Sequence, residues 1–447
     1  MSIQIPTKEE IMGWIIKIYQ KGIRRPGYDA DYWVENWLEE KLKEFGINRI
    51  ILEPLKIKRW KTKNPKLLIW KEESPEKILE LPCFPIPYTV PAQNLTGEIS
   101  KNLEQEKIVL GRLNLIKLPT SSLKHLTNKY YDPRNEFDSL NQLMPTGFFH
   151  NLMNDAISNG ASAFIGYIAN YPWDTCEYYA PYDAIEKRIP GVWISPKGGK
   201  KVSKLLLNHS VHAKISYEAT NEKVKTNNVY GILEGNSDEW VIISTHHDAP
   251  WASATEDSSG IALVLAQAKY WSQVPKEKRP FNLLFLWNCA HMAGGKGGRS
   301  FVGKHKKLLE KTVVTIVLEH IARDCKTVEG KLIPTDDPVV KWWFITKNSE
   351  LQDLTLNAIK KEGLYRSVVM PTEGFPPGSE HPPTDAAPFH LAGVPIISLL
   401  SAPPYLFDPA DTLDKVHIES IEPITRAIIH IIEQLKGKTP SDTRKQV

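Results

Sequence analysis

Beyond about residue 225, short apolar segments alternate with helical ones, and this alternation restricts the possible folds more than any other feature. WVIISTHH, FNLLFLWNCA and TVVTIVLEHIA are short apolar runs of the kind found in central strands, whereas SSGIALVLAQAKYWSQ has the length and composition of a buried helix. Strands that alternate with helices form a mostly parallel sheet covered on both faces, with the chemistry at the carboxyl ends of its strands. The sequence therefore predicts an α/β fold with a mostly parallel sheet and helices on both faces.

The first half of the chain has a different sequence pattern, which predicts a smaller inserted domain. Helical patterns dominate the first 45 residues, and the stretch from 80 to 140 is irregular and includes the Pro-rich PCFPIPYTVP. We predict that residues 1–80 form a helical segment of the main domain, residues 80–225 an insertion, and residues 225–440 the domain that carries the chemistry.

Composition excludes several classes of function. The 56 basic and 52 acidic side chains leave a net charge of +4 without a long basic run, so we expect no nucleic-acid partner. No apolar run reaches the roughly 18 residues needed to cross a bilayer, so we expect no membrane partner. The amino terminus lacks the pattern of a secretory signal and the four cysteines form no CxxC pair, so we expect a cytoplasmic protein with reduced thiols.

Imidazole and carboxylate side chains cluster where the predicted strands end. A single such residue often serves only as a cap or a structural hydrogen-bonding group, but several at neighbouring strand ends would meet in one crevice. Acidic and basic groups are costly to bury there without a partner such as a metal ion. The residues are His246, His247, Asp248, Glu256, Asp257, His291, Glu319 and His320.

The order and spacing of these residues resemble those of the co-catalytic zinc aminopeptidases and their glutamate-carboxypeptidase relatives, over roughly residues 225–437. The resemblance rests on the motifs His246-His247-Asp248, Glu256-Asp257-Ser258-Ser259-Gly260, GGKGGRSF, Leu318-Glu319, Thr384-Asp385, Gly393-Val394-Pro395 and Asp411-Thr412-Leu413-Asp414. Residues 80–225 are similar to the protease-associated insertion of that family, through GASAFIGYIA and PGVWISPKGG. The resemblance implies a zinc-aminopeptidase-like fold and an insertion that shapes substrate access.

Carried over residue by residue, the resemblance implies that one half of the metal site is preserved. His246 falls on a metal-ligand position, and Asp248 falls on the acid that orients this ligand. Glu256 falls on the bridging carboxylate and Glu319 on a terminal carboxylate ligand, where the family has Asp. A His and two carboxylates suffice for one metal ion with an open position.

The other half of the site departs from the family pattern. The family has two consecutive glutamates before its Gly-rich turn. This chain has His291-Met292 or, in a register shifted by one residue, Ala290-His291. The final His ligand is replaced by Phe407. We therefore expect one divalent metal ion, zinc first with iron or manganese as alternatives, held by His246, Glu256 and Glu319 together with His291.

Three functions are compatible with such a site. The first is a metal-dependent hydrolase of an amide or peptide-type bond, in which His291 or His320 moves protons and Asp248 assists. The second is a binding protein on a degenerate scaffold, and the third is a lyase or cyclisation reaction on the same fold. We favour the hydrolase, because the replacement residues can again bind metal. Its partner would be a peptide or small-molecule substrate, and a homo-oligomer is possible. Glu380 and His381 are outside candidates for the missing ligand.

Overall fold

The computed structural model describes residues 3–144 and 149–445. The first half of the chain supplies two entry helices, two very long strands and the elements between them. These are α1 (Lys8–Tyr19), α2 (Asp29–Glu44), β1 (Arg49–Lys71), β2 (Ser74–Leu81), β3 (Cys83–Pro85), β4 (Ala92–Ser100), β5 (Ile108–Leu113), β6 (Ile116–Pro119), α3 (Thr120–Thr127), β7 (Tyr130–Tyr131), β8 (Asn141–Met144), α4 (Phe149–Ser158), β9 (Ala163–Ile168), β10 (Gly191–Ile194), α5 (Pro196–Leu205) and β11 (Val211–Leu233).

In the second half strands alternate with helices, as the sequence predicts. The elements are β12 (Trp240–His246), α6 (Gly260–Gln273), β13 (Asn282–Asn288), α7 (Lys296–Lys304), α8 (Lys306–Glu310), β14 (Thr312–Leu318), β15 (Arg323–Val328), β16 (Lys331–Pro338), β17 (Lys341–Ile345), α9 (Ser349–Lys361), β18 (Ser367–Met370), α10 (Ala387–Leu391), β19 (Ile396–Leu400), α11 (Ile421–Gln434) and α12 (Pro440–Thr443).

The central sheet is mostly parallel. Strand β12 lies between β13 and β14 and is parallel to both, and β14 is parallel to β19 on its other side. Strands β11 and β17 flank this group in antiparallel pairings. The carboxyl ends of β12, β13, β14 and β19 therefore meet at one edge of the sheet, where the chemistry of open α/β folds is found.

Helices cover both faces of this sheet, which explains its apolar strands. Every residue of β14 is buried, and so are most of those of β12 and β13. Helix α6 is buried over most of its length and packs against β12 and β13. The helix begins at Gly260, where there is no room for a side chain, because a Cβ there would lie 2.3 Å from the carbonyl oxygen of Leu318 at the end of β14. Strands buried on both faces read as continuous apolar runs, which is what the sequence shows.

A long antiparallel pair of strands links the main sheet to the strands of the first half. Strands β1 and β11 pair in antiparallel fashion from Arg49↔Ile232 to Lys71↔Val211. One end of β11 pairs with β13 of the main sheet, and the other end pairs with β4. Strands β4, β5, β9, β10 and β3 continue the sheet from there. The boundaries of the inserted domain, residues 80 and 225, stay a prediction. Within residues 3–144 and 149–445, no helix has both the length and the apolar character to cross a bilayer.

Candidate metal centre

The ends of three neighbouring strands bring the predicted site residues together. His246 is the last residue of β12, His291 follows β13, and Glu319 and His320 follow β14. All of these side chains are buried or nearly so. The sequence prediction that they share one crevice follows from the parallel order of the strands.

His246, Glu256 and His320 form the first cluster at this edge. Nε2 of His246 lies 3.3 Å from Oε1 of Glu256, and Nε2 of His320 lies 2.5 Å from Oε2 of the same carboxylate. One ligand atom from each residue lies within 4.8 Å of the others. Two atoms that each lie ~2.0 Å from a tetrahedral zinc ion are about 3.3 Å apart, so the three side chains are close to the spacing of a metal site.

The polar atoms of this cluster fit a metal ion, because among the described residues they have no partners except one another. Nε2 of His246, both carboxylate oxygens of Glu256 and Nε2 of His320 are buried, and none has a well-formed hydrogen bond to the described residues. Buried polar atoms are normally hydrogen-bonded, and several unsatisfied ones at one place call for an explanation. Two imidazoles and one carboxylate with an open fourth position are a common ligand set of catalytic zinc.

The charges of the cluster depend on one another. Burial disfavours the charged imidazole of His320, but the Glu256 carboxylate outweighs burial and raises the pKa of His320 to about 10. Burial likewise disfavours ionised Glu256, yet His320 and His246 hold the pKa of Glu256 well below its usual range. Without an ion, the cluster is therefore a buried carboxylate paired with protonated imidazole, and a cation can take the place of that proton.

Backbone contacts from distant segments fix the position of Glu256. The carboxylate of Asp411 accepts hydrogen bonds of 2.8 Å from the amides of both Thr255 and Glu256. The neighbouring Asp257 accepts bonds of 3.1 Å from the amides of Gly260 and His320. Asp257 thus connects the loop after β12 to the residue that follows β14. Through these backbone hydrogen bonds, the motif residues Asp257 and Asp411 fix the position of Glu256.

His246 is oriented by a backbone carbonyl. Its Nδ1 lies 2.8 Å from the carbonyl oxygen of Asp248 and 3.9 Å from the nearer carboxylate oxygen of that residue. The Asp248 carboxylate instead accepts bonds of 2.9 and 2.7 Å from the amides of His291 and Met292. Asp248, predicted to orient His246 and to assist catalysis, therefore holds the turn that carries His291.

His291 and Asp385 form a second pair beside the first cluster. The ring of His291 stacks on that of His246 with 4.1 Å between centroids and 14° between planes. Nδ1 of His291 makes a short hydrogen bond to Oδ1 of Asp385, while Oδ2 of Asp385 is buried without a partner among the described residues. His246, His291 and Asp385 also have ligand atoms within 4.8 Å of one another. The sequence pattern places Asp385 only within the motif Thr384-Asp385, and the tertiary fold brings it to the candidate site.

Glu319, predicted as a metal ligand, lies outside both clusters. Its Oε1 accepts a 2.9 Å hydrogen bond from the amide of Asp385. Burial and, next, the negative charge of Asp385 raise the pKa of Glu319 to about 7. The adjacent His320, predicted to move protons, reaches Glu256 in its place. The ligand roles predicted for Glu319 and His291 stay predictions.

The remaining candidates have other surroundings. Glu380 and His381 are exposed, and Nδ1 of His381 lies 3.0 Å from the carbonyl oxygen of its neighbour Pro382. Phe407, at the position of the lost final ligand, is buried and packs against Tyr182 and Tyr178. The side chain at this position is therefore part of an apolar wall beside His291.

A third buried cluster, at the base of α2, has its polar atoms satisfied. His247 lies 2.8 Å from Oδ1 of Asp31 through Nδ1 and 2.9 Å from the carbonyl oxygen of Asn227 through Nε2. Glu35 accepts hydrogen bonds from Thr226 and Asn227. Burial opposes protonation of His247, but Asp31 prevails and raises its pKa to about 9. Both ring nitrogens of a charged imidazole act as donors here. His247 therefore connects α2 to the end of β12 and is not free to bind a metal.

Comparisons with known proteins agree with this architecture. Residues 228–432 match the model of peptidase family M28. The structure is similar to the zinc aminopeptidase BSAP from Bacillus subtilis, with 14% identity, a TM-score of 0.68 and full coverage of both chains. It is similar to a peptidase M28 precursor from Shewanella amazonensis, with 17% identity and a TM-score of 0.67 over 96% of this chain and 97% of that one.

An aminopeptidase from Aneurinibacillus sp. strain AM-1 is similar as well, with 16% identity and a TM-score of 0.64 over 99% of this chain and 95% of that one. No curated protein sequence matches the chain. At these identities the solved structures establish the fold. Together with the family match they confirm the predicted fold class and the predicted resemblance to the zinc aminopeptidases, and they support the expected class of enzyme, a metallohydrolase.

Proposed function

We propose that this chain, whose residues 228–432 match peptidase family M28, is a metal-dependent hydrolase of amide or peptide-type bonds that works with a single ion. The observation that carries the proposal is the buried cluster of His246, Glu256 and His320, whose ligand atoms converge and have no partners outside the cluster among the described residues. Three protein ligands and an open position are what a catalytic zinc site needs. Zinc is the first choice, and iron or manganese are alternatives because two His and one carboxylate also suit non-haem iron.

The shared imidazole is the reason for proposing one ion. Nδ1 of His246 faces the Asp248 carbonyl, so only Nε2 is free to bind a metal. His246 belongs to both metal-capable groups, one with Glu256 and His320 and one with His291 and Asp385, so with Nδ1 occupied both groups depend on the same nitrogen. One lone pair serves one ion, so the two groups cannot both be filled with three protein ligands. The apolar Phe407 in place of the family's last ligand agrees with this reading.

His291 and Asp385 supply the acid–base chemistry in this proposal. A bound divalent ion would contribute Lewis-acid polarisation of the scissile carbonyl group. Asp385 holds Nδ1 of His291 and so directs Nε2 as the proton acceptor. Nε2 takes a proton from the attacking water and passes it to the leaving nitrogen, as a general base and then a general acid. The pair thereby replaces the glutamate base that the sequence lacks.

The test combines metal content with turnover. We expect one equivalent of metal in protein purified without chelator, and hydrolysis of some members of a broad set of amides, acyl amino acids and small peptides. Chelator should abolish this turnover, and added zinc, iron or manganese should restore it. His246→Ala should lose both metal and activity, whereas His125→Ala, which changes an exposed histidine of α3, should lose neither.

The alternatives predict different outcomes. Two equivalents of metal would contradict the single-ion site. Metal-dependent conversion of cyclic or acyl compounds without hydrolysis would identify a lyase or cyclase on the same scaffold. A ligand that binds wild type and His246→Ala equally tightly, with no turnover by either, would identify a binding protein.

A further inference from the structure

A segment that lies far from the strand ends in sequence, residues 178–187, covers the metal centre. The ring of Tyr182 stacks on the imidazole of His291, with 5.4 Å between centroids and 26° between planes. On another side, Tyr182 contacts the ring of Phe407 at 5.1 Å. The predicted insertion thus places one aromatic side chain directly against the proposed acid–base pair.

This segment is anchored on both sides of Tyr182. Before it, the amide of Tyr179 donates a 2.9 Å hydrogen bond to the carbonyl oxygen of Phe407. After it, the carboxylate of Asp183 forms a short ion pair with the buried Lys187. Gly294, in the turn after His291, approaches so closely that a Cβ there would lie 2.7 Å from the Asp183 carbonyl oxygen. Tyr182 is therefore held in place before any ligand binds, and this favours tight positioning.

The hydroxyl of Tyr182 is a protonated donor without a protein partner. It makes no hydrogen bond to any group of residues 3–144 or 149–445, and it is not among the fully buried polar atoms, so it is accessible to a ligand. Burial and then the carboxylates of Glu256, Glu319 and Asp385 raise the pKa of this phenol. An ordinary phenol, with a pKa of about 10, already carries the proton that it would donate, and the stacking of the Tyr182 ring on His291 places this donor beside the proposed acid–base pair.

We propose that the Tyr182 hydroxyl donates a hydrogen bond to the carbonyl oxygen of the scissile bond, so that the insertion supplies a substrate-contacting group. The proposal rests on the proposed hydrolase function. A fixed donor that meets developing negative charge on that oxygen stabilises the transition state more than the ground state. The ring that carries it also restricts the position of the substrate above His291. Access and chemistry would then depend on the same residue.

The test compares Tyr182→Phe with Tyr167→Phe. The first variant keeps the stacked ring and removes only the hydroxyl. The second removes a hydroxyl that bonds Ser203 in a separate core cluster of the same insertion. Each protein is loaded with zinc, and two quantities are measured: turnover of a substrate found in the screen, and the Kd of leucine hydroxamate, a metal-chelating analogue with a carbonyl oxygen. Bound zinc and Tm are measured as controls.

We expect Tyr182→Phe to lower kcat about 10²–10³-fold, the usual cost of one oxyanion donor, and to weaken hydroxamate binding about tenfold. Zinc content and Tm should match wild type, and Tyr167→Phe should change neither turnover nor Kd. If Tyr182→Phe equals wild type in both measurements, the inference is wrong although the hydrolase stands. If wild type hydrolyses nothing but binds the hydroxamate tenfold more tightly than Tyr182→Phe, the contact of the hydroxyl with a bound carbonyl stands, and the hydrolase function with its scissile bond is wrong. Failure of zinc-loaded wild type to bind the hydroxamate would overturn both.

Discussion

Replacing His320 and Glu319 one at a time tests which of these neighbours holds the metal. The family resemblance assigns the ligand role to Glu319, whereas the fold directs His320 to Glu256 and Glu319 to the amide of Asp385. We expect His320→Asn to lose the metal and Glu319→Gln to keep it. An amide at position 319 can still accept the bond from Asp385, so this variant is a matched control that preserves local shape.

The size of the effect follows from the ligand count and from burial. Four-ligand zinc sites bind with apparent free energies of ~10–16 kcal/mol, or roughly 2.5–4 kcal/mol per ligand, so the loss of one should weaken binding about 10²–10³-fold. The metal-free protein should suffer as well. His320 and Glu256 are a buried ion pair 2.5 Å apart, and removal of one partner from such a pair costs about 3–5 kcal/mol. Glu319→Gln removes repulsion with Asp385 and should leave stability unchanged or slightly higher.

The assay is zinc titration by calorimetry, with thermal unfolding of the metal-free proteins in parallel. His320→Asn should show weaker zinc binding and a lower Tm than wild type, and Glu319→Gln should differ little in either measurement. The opposite result, with zinc retained by His320→Asn and lost by Glu319→Gln, would refute the ligand set derived from the fold and restore the one read from the sequence.

Two further predictions concern stability outside the ligand set. Burial raises the pKa of Asp408 to about 7 from 3.8, so its charged form destabilises the fold: its unfavourable contribution is absent below the unfolded pKa, grows as pH rises and is complete above pH ~7. About three pKa units at ~1.4 kcal/mol each set an upper limit of roughly 4 kcal/mol on the destabilisation by ionised Asp408. Asp408→Asn should therefore raise Tm relative to wild type at pH 8 but not at pH 4. An equal difference at both pH values would contradict this. Gly294→Ala should destabilise the protein by about 1–3 kcal/mol in denaturant titrations, because φ is +78° and the new Cβ would press on Asp183. The control Gly303→Ala, in helix α7, should be neutral or stabilising, because no atom lies within 4 Å of its new Cβ. Equal effects of the two substitutions would exclude the close contact as the cause.

The sequence by itself determined the fold class and the location of the site. Apolar runs of strand length that alternate with helices leave few arrangements other than a parallel sheet covered on both faces. Once the strands are parallel, residues at their carboxyl ends must share one edge. His246, at the end of β12, and His291, after β13, therefore come together although 44 residues lie between them in the chain.

Only the tertiary structure decided which side chains reach the centre. His320 follows the end of β14 with a left-handed backbone, φ +56°, and its side chain reaches Glu256, whereas the preceding Glu319 accepts a bond from the amide of Asp385. Asp385 and Tyr182 arrive from loops whose paths depend on contacts across the whole molecule, such as the packing of Tyr182 against Phe407. Local pattern carries no information about such contacts, because their energy is realised only when distant segments are packed together.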